Sequence, residues 1–176
     1  MELNEILKTR RSVRHYQDKE IADDVLFELL DSVRVAPSWH NYQPARYHVI
    51  RDAQLKEKIS KTLPSFNQNN VKNAPVLIVT TIVLNQSGFL KGEPANELVN
   101  HWGYYDGGLS NAHLLLKATD LGLGTLVIGL RNADKIRESL GIPEEESIMS
   151  VISLGYPEKV STMPKRKQFD EIIKIY

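Results

Sequence analysis

The sequence predicts an α+β fold, with helices and strands mixed and no regular strand–helix–strand repeat. Three features of the chain point to it. Val25, Leu26, Leu29, Leu30 and Val33 form a helical stripe. The β-branched run VLIVTTIV after Pro75 has the composition of a strand buried on both faces. From Tyr104 to Leu121 the pattern YYDGGLSNAHLLLKATDL is apolar around most of a helix's circumference, as in a helix central to a core or shared between subunits.

The first helix spans Ala22 to Ala36, with Asp23 and Asp24 in its first turn and Pro37 just past its end. Arg46 to Asp52 alternates and reads as a strand, and a helix follows on Leu55, Ile59 and Leu63. After the VLIVTTIV strand, SGFLKGEPANE has the glycines and proline of an exposed excursion or lid. In the Tyr104–Leu121 helix, Gly107, Gly108, Ser110 and Ala112 admit close approach by another element of the same chain or of a second one. Thr125 to Gly129 is a strand, Asn132 to Gly141 a capped helix, and Ser147 to Pro157 a further strand. The terminal Ile172, Ile173, Ile175 and Tyr176 need cover, from the chain's own core or from a second subunit.

The 176 residues suit one domain. Lys+Arg and Asp+Glu both total 22, so no global field favours nucleic acid or an anionic membrane, and neither is an expected partner. The chain has no cysteine, which removes disulfides, thiolate metal sites and cysteine nucleophiles. The N-terminal MELNEILKTRRS has no long apolar stretch, so no signal peptide is expected. The apolar run Ala74–Leu84 is about half of the ~20 residues a membrane helix needs. A soluble, cytoplasmic protein is the expectation.

Several motifs fail. GLGTLVIG places Val127 where a third dinucleotide glycine belongs, and it follows a helix rather than a strand. There is no GxxxxGK loop, HExxH pair, EF-hand or GxSxG elbow, and no metal site is expected. The five histidines are scattered, and His48 and His113 read as hydrogen-bonded structural residues. An enzyme built from this chain would borrow its reactivity from a cofactor.

Two clusters remain. In RRSVRHY, Arg10, Ser12 and Arg14 are two apart and point one way if extended, while Arg11 points across. Guanidinium forks beside a hydroxyl suit a phosphate monoester, and a solvated charge run paired with Asp18, Glu20 or Asp23 is the competing reading. In APSWHNYQP, prolines bracket Ser38, Asn41 and Gln43, whose amides suit a ligand edge that mixes donors and acceptors, as a capping turn would also use them.

Taken in order, RRSVRHY, APSWHNYQPARYHVI, DGGLSNAHLLLKATDLGLGTLVIG and the late PKRK resemble the FMN-dependent nitroreductase family from Arg10 to Lys167. The resemblance implies one nitroreductase-like domain over residues 1–176, with a mostly antiparallel sheet flanked by helices in an intertwined homodimer. A C-terminal tail of about residues 157–176 would reach over the partner. FMN would lie at the subunit interface, with NADH or NADPH as donor and a nitroaromatic, quinone or similar small molecule as acceptor. Arg10 and Ser12 fall at the phosphate positions, with Arg11 beside them, and Arg14 at the N1 and C2 carbonyl edge of the flavin. Pro37, Ser38 and Trp39 match the segment along the cofactor, and Asn41 and Gln43 the amides near the pyrimidine or ribityl chain. Ile128, Gly129 and Leu130 match the strand end at flavin N5, and Lys165, Arg166 and Lys167 the late basic residues at the phosphate. No side chain is expected to act as catalytic acid or base. The sequence departs from the family at Ala45, often Trp, at Trp39, often small, and at Ile128, acidic in some relatives. A reductive dehalogenase, a flavin-consuming enzyme of the same fold and a non-catalytic flavin binder stay open as alternatives.

Overall fold

Alternation along β2 (Val76–Val83) organises the molecule, because Leu77 and Val79 point to one face of the sheet while Val76 and Ile78 point to the other. Both sets are buried, so the strand must be sandwiched between layers. The computed structural model describes residues 1–159 and 161–176; Val160, inside the expected tail, lies outside the described residues.

The main sheet has the order β1-β2-β6-β5, with β1 spanning Ala45–Ile50, β5 Gly124–Ile128 and β6 Glu146–Gly155. Its strand pairs are antiparallel, with an irregularity in the β2–β6 register between Thr80 and Thr81. One face carries a core of Ile59, Leu63, Val71, Leu77, Ile136 and Val151, contributed in part by α3 (Ala53–Ser60), α4 (Ser65–Val71) and α6 (Ala133–Leu140). The other buries Leu26, Leu29, Ile78, Leu114, Ala118 and Ile152 under α2 (Asp23–Asp31) and α5 (His101–Asp120). The short α1 (Leu3–Thr9) also meets α5. The result is the α+β arrangement expected from the sequence.

Local signals account for most element ends. Asn132 accepts the Lys135 N–H at the start of α6, and Gly141 ends it in a left-handed conformation at φ 64°. Asp52 caps α3 by accepting the Leu55 N–H. The predicted Ala22–Ala36 helix is α-helical only to Asp31 and tightens to a 3₁₀ turn over Ser32–Val35 before Pro37. The α4 helix is not foretold by SFNQNNV, which has almost no apolar period, and buried Asn67 and Val71 hold it in place.

The small residues of α5 divide between two faces. A Cβ on Gly107 would lie 2.6 Å from the Met149 side chain and one on Gly103 2.8 Å from Ile82, so both are needed for α5 to lie on its own sheet. Gly108 and Ala112 are exposed. The excursion after β2 is a short hairpin of β3 (Phe89–Leu90) and β4 (Glu93–Pro94). The tail forms one helical turn, α7 (Phe169–Ile172), and Phe169, Ile172 and Ile175 are 68%, 64% and 83% exposed, so it does not dock on the core of its own chain. Among the described residues no helix is long and apolar enough to cross a membrane.

Candidate functional site

The arginine segment meets the free edge of β5 at Ser12 and then pairs past the end of β6, through a Tyr16–Pro157 bridge. The Arg10 N–H closes α1 on the Ile6 carbonyl at 2.9 Å, after which the chain becomes extended. Ser12 bridges Thr125 in parallel, and the Val13 N–H donates to the Thr125 carbonyl at 2.9 Å. Two buried side chains anchor the segment. Val13 lies against Gly124, where a Cβ would come within 2.4 Å of it. The Tyr16 hydroxyl is 2.7 Å from Ser153 Oγ and donates to the Val13 carbonyl at 3.0 Å; burial pushes this phenol well above its ordinary value.

With Val13 and Tyr16 inward, Arg10 and Ser12 are left half-buried and Arg14 exposed. Among the described residues Arg14 Nη1 donates to the Ser12 carbonyl alone, at 3.3 Å. Arg11 behaves differently: its Nη1 donates to the Lys8 and Arg10 carbonyls at 2.7 and 2.8 Å, closing the open end of α1, while its buried Nε has no partner. Among the described residues none of these arginines pairs with Asp18, Glu20 or Asp23, and Asp23 is taken by Arg51. A run of surface ion pairs is therefore not what holds the cluster.

The segment that leads to the late basic residues touches the same edge. Ser161 Oγ donates to the Ser12 carbonyl at 3.2 Å, and Lys165, Arg166 and Lys167 follow, all exposed. The end of β5 is here too: Ile128 is buried in the core, whereas Gly129 and Leu130 are exposed. A Cβ on Gly129 would meet nothing within 4 Å among the described residues, so this strand end is open. Arg131 props this strand end through the Gly129 carbonyl at 3.2 Å and the Ile148 carbonyl.

The Ala36–Pro44 loop is elsewhere, leading into β1 at the opposite edge of the sheet. Three strand spacings separate the edges, about 14 Å. His40, Asn41 and Gln43 adopt positive φ of 47°, 57° and 49°, conformations that cost about 1–3 kcal/mol each and persist only where surrounding contacts impose them. Ser38 Oγ accepts the Gln43 N–H at 2.9 Å, and Gln43 Nε2 donates to Asn41 Oδ1 at 3.2 Å, so the two amides brace each other. Trp39 lies against Trp102 of α5 with ring centroids 4.9 Å apart, and its buried indole N–H has no partner. Trp102 donates its own indole N–H to Asn96 of the excursion at 2.9 Å.

Behind the loop is a cleft of about 280 Å³ whose lining includes Arg34, Pro37, Ser38, Tyr47, Asp106 and Ser110. Burial pushes the Tyr47 phenol up to about 12, against the opposing pull of its hydrogen bond with Ser110, so it stays neutral. Asp106, missing from the sequence-based set, is 3% exposed and accepts the Trp39 N–H at 3.0 Å. The signal that could have found it is an acid within YYDGG, on a helix otherwise small and apolar.

The structure thus sets Arg10, Ser12, Arg14 and Gly129 along one edge, with Ser161 ahead of the PKRK segment bonded there, and Pro37 to Gln43 at the other. Outside this site, His48 Nε2 is 2.9 Å from Glu146, and His113 Nδ1 lies 3.3 Å from the Ser32 carbonyl. Among the described residues no group of His, Asp or Glu side chains could hold a metal ion.

An antiparallel sheet of order β1-β2-β6-β5 with helices on both faces defines an α+β fold, and residues 7–156 match the Nitroreductase family; the chain belongs to that family. It is 32% identical over 161 residues to a provisionally named NADH dehydrogenase/NAD(P)H nitroreductase of Methanothermobacter thermautotrophicus, covering 89% of this chain and 78% of that one. It is 29% identical to the FMN reductase [NAD(P)H] of Bacillus subtilis, over 93% and 70% of the two chains. A nitroreductase from Exiguobacterium sibiricum, solved in complex with FMN, shares the fold with a TM-score of 0.88 at 23% identity, covering 100% of this chain and 98% of that one.

Proposed function

We propose that the protein is an FMN-dependent NAD(P)H oxidoreductase, active as a homodimer, that reduces nitroaromatics, quinones or similar small acceptors by ping-pong turnover. The observation that carries this is the split site. Cations and a hydroxyl without acidic partners line one edge of the sheet, and the loop suited to cover a ligand lies at the other. A second copy related by a two-fold axis sets the loop of each chain on the arginine edge of its partner. The exposed tail from Phe169 supports the same assembly.

The residues present fit FMN. Arg10 and Ser12 supply charge-assisted and hydroxyl donors to a phosphate, and the exposed Lys165, Arg166 and Lys167 add to its field. Among the described residues the buried Arg11 Nε and Trp39 Nε1 have no partner and are two further donors for a ligand to satisfy. Gly129 lets the backbone approach a ring face. When bound, FMN supplies the hydride-accepting centre and passes the electrons on to the acceptor. Arg14 would present its positive charge to the N1 and O2 edge of the ring, and Pro37 to Trp39 of the second copy would shield the site from water.

Purification tests the reading directly. The protein is expected to be yellow, or to become so with added FMN, and to bleach on anaerobic addition of NADH or NADPH. A colourless protein that takes up no FMN refutes it. Product analysis then separates nitro or quinone reduction from reductive dehalogenation, and binding without reduction by either nicotinamide would identify a carrier.

A further inference from the structure

Asp106 is the one acidic or basic residue in the buried class among the described residues, and it is held by a single hydrogen bond from the Trp39 N–H. Among the described residues no lysine or arginine lies within ion-pair distance, although Arg34 and Arg46 line the same cleft. A buried carboxylate with so few partners does not favour folding, since an apolar side chain of similar size would suit the position at least as well. Its bond is also unusual in its setting. From Pro37 to Tyr42, every other hydrogen bond among the described residues closes within the loop itself: Asn41 N–H to the Ser38 carbonyl, Tyr42 N–H to the Trp39 carbonyl, Gln43 N–H to Ser38 Oγ and Gln43 Nε2 to Asn41 Oδ1.

We infer that Asp106 is a positioning residue that ties the Ala36–Pro44 loop to α5 and so presets it for the flavin. The inference rests on the flavin reading above. Trp102, one helical turn before Asp106 on α5, meets the Trp39 ring, so the helix holds Trp39 by its backbone and its side chain together. Without the tether, the left-handed conformations at His40, Asn41 and Gln43 have no scaffold bond near their start and relax toward ordinary ones. The ligand must then order the loop at its own cost in affinity.

The test compares Asp106→Leu, which removes the acceptor, with Asp106→Asn, which keeps an oxygen for the Trp39 N–H. Asp106→Leu is expected to bind FMN at least tenfold more weakly without a lower Tm of the apoprotein, and Asp106→Asn to stay within threefold of wild type. Hydrogen exchange on the apoprotein reads the tether without flavin: amides of the Trp39–Gln43 peptide should exchange at least tenfold faster in Asp106→Leu only. Unchanged exchange and affinity in Asp106→Leu overturn the inference, as does a parallel loss of Tm and affinity that Asp106→Asn fails to rescue. Should Asp106→Leu not fold, Trp39→Pro deletes the donor at a position preceded by an extended Ser38 (φ −149°, ψ 161°), which tolerates a following proline. Trp39→Ala keeps the donor, and Trp39→Pro is expected to bind at least tenfold more weakly than Trp39→Ala; equal affinities overturn the inference. If wild type takes up no FMN, the flavin reading fails while the exchange comparison still decides the tether.

Discussion

Ser161 Oγ donates to the carbonyl of Ser12 at 3.2 Å, fastening the chain ahead of the basic C-terminal run to the extended segment between Arg10 and Arg14. Residues almost the whole chain apart in sequence therefore converge on one edge of the sheet. The positive charge there is assembled by folding, since the chain as a whole has none in excess.

The half-buried Arg10 and the exposed Arg14 have separate roles at this edge. Arg10→Ala is expected to weaken FMN binding by about 10–100-fold, the equivalent of one charge-assisted bond of about 1.5–3 kcal/mol, with little effect on reduction once saturated. Arg14→Ala should weaken binding and also slow flavin reduction at saturation. Stopped-flow reduction after an affinity titration distinguishes them, and unchanged binding in both variants would refute the placement of the site.

The exposed apolar tail gives a second prediction. Ending the chain after Gln168 keeps Lys165, Arg166 and Lys167 but removes Phe169, Ile172, Ile173, Ile175 and Tyr176. The shortened protein should dissociate to monomers at micromolar concentration and lose most of its FMN. Sedimentation velocity reads the first effect, and a dimer as tight as the full chain would show that the tail covers nothing across the interface.

Stability against acid should depend on Glu146. Burial pushes its carboxyl up, but hydrogen bonds from Thr81 and His48, with the charges of His48 and Arg46, hold it below the usual glutamate range. Because the folded value is depressed, its contribution is present above the ordinary glutamate value of about 4.3 and is lost as pH falls through the folded one. Glu146→Gln is expected to lower stability near pH 7 by about 1–2 kcal/mol, or about 2–8 °C in Tm. Urea melts at descending pH should show the gap to wild type closing below about pH 4; a gap constant with pH contradicts the assignment.

Much of this molecule was legible in the chain. The β-branched run before Leu84 could only be a strand covered on both faces, and Asn132 with Gly141 marked both ends of α6, because these signals are local and act through backbone geometry. The helix α4 was not legible, since SFNQNNV is placed by what Asn67 and Val71 pack against rather than by its own period. Arg11 points across from its neighbours, as their spacing predicts, but that its forked head closes α1 only the path of the chain after Thr9 could decide.

By itself, the sequence determined the elements and the residue types of the site: arginines beside a serine, a stiff amide-bearing loop, a glycine at a strand end and a late basic run. Tertiary structure decided which of them meet. Hydrogen bonding of Ser12 and Val13 to Thr125 placed the arginines on the free edge of β5, and β1 took the loop to the other. Strand order is set by pairings between residues far apart in the chain, and no local pattern encodes it. For the same reason Asp106 was visible only as an oddity in YYDGG until folding set its carboxylate under the Trp39 N–H.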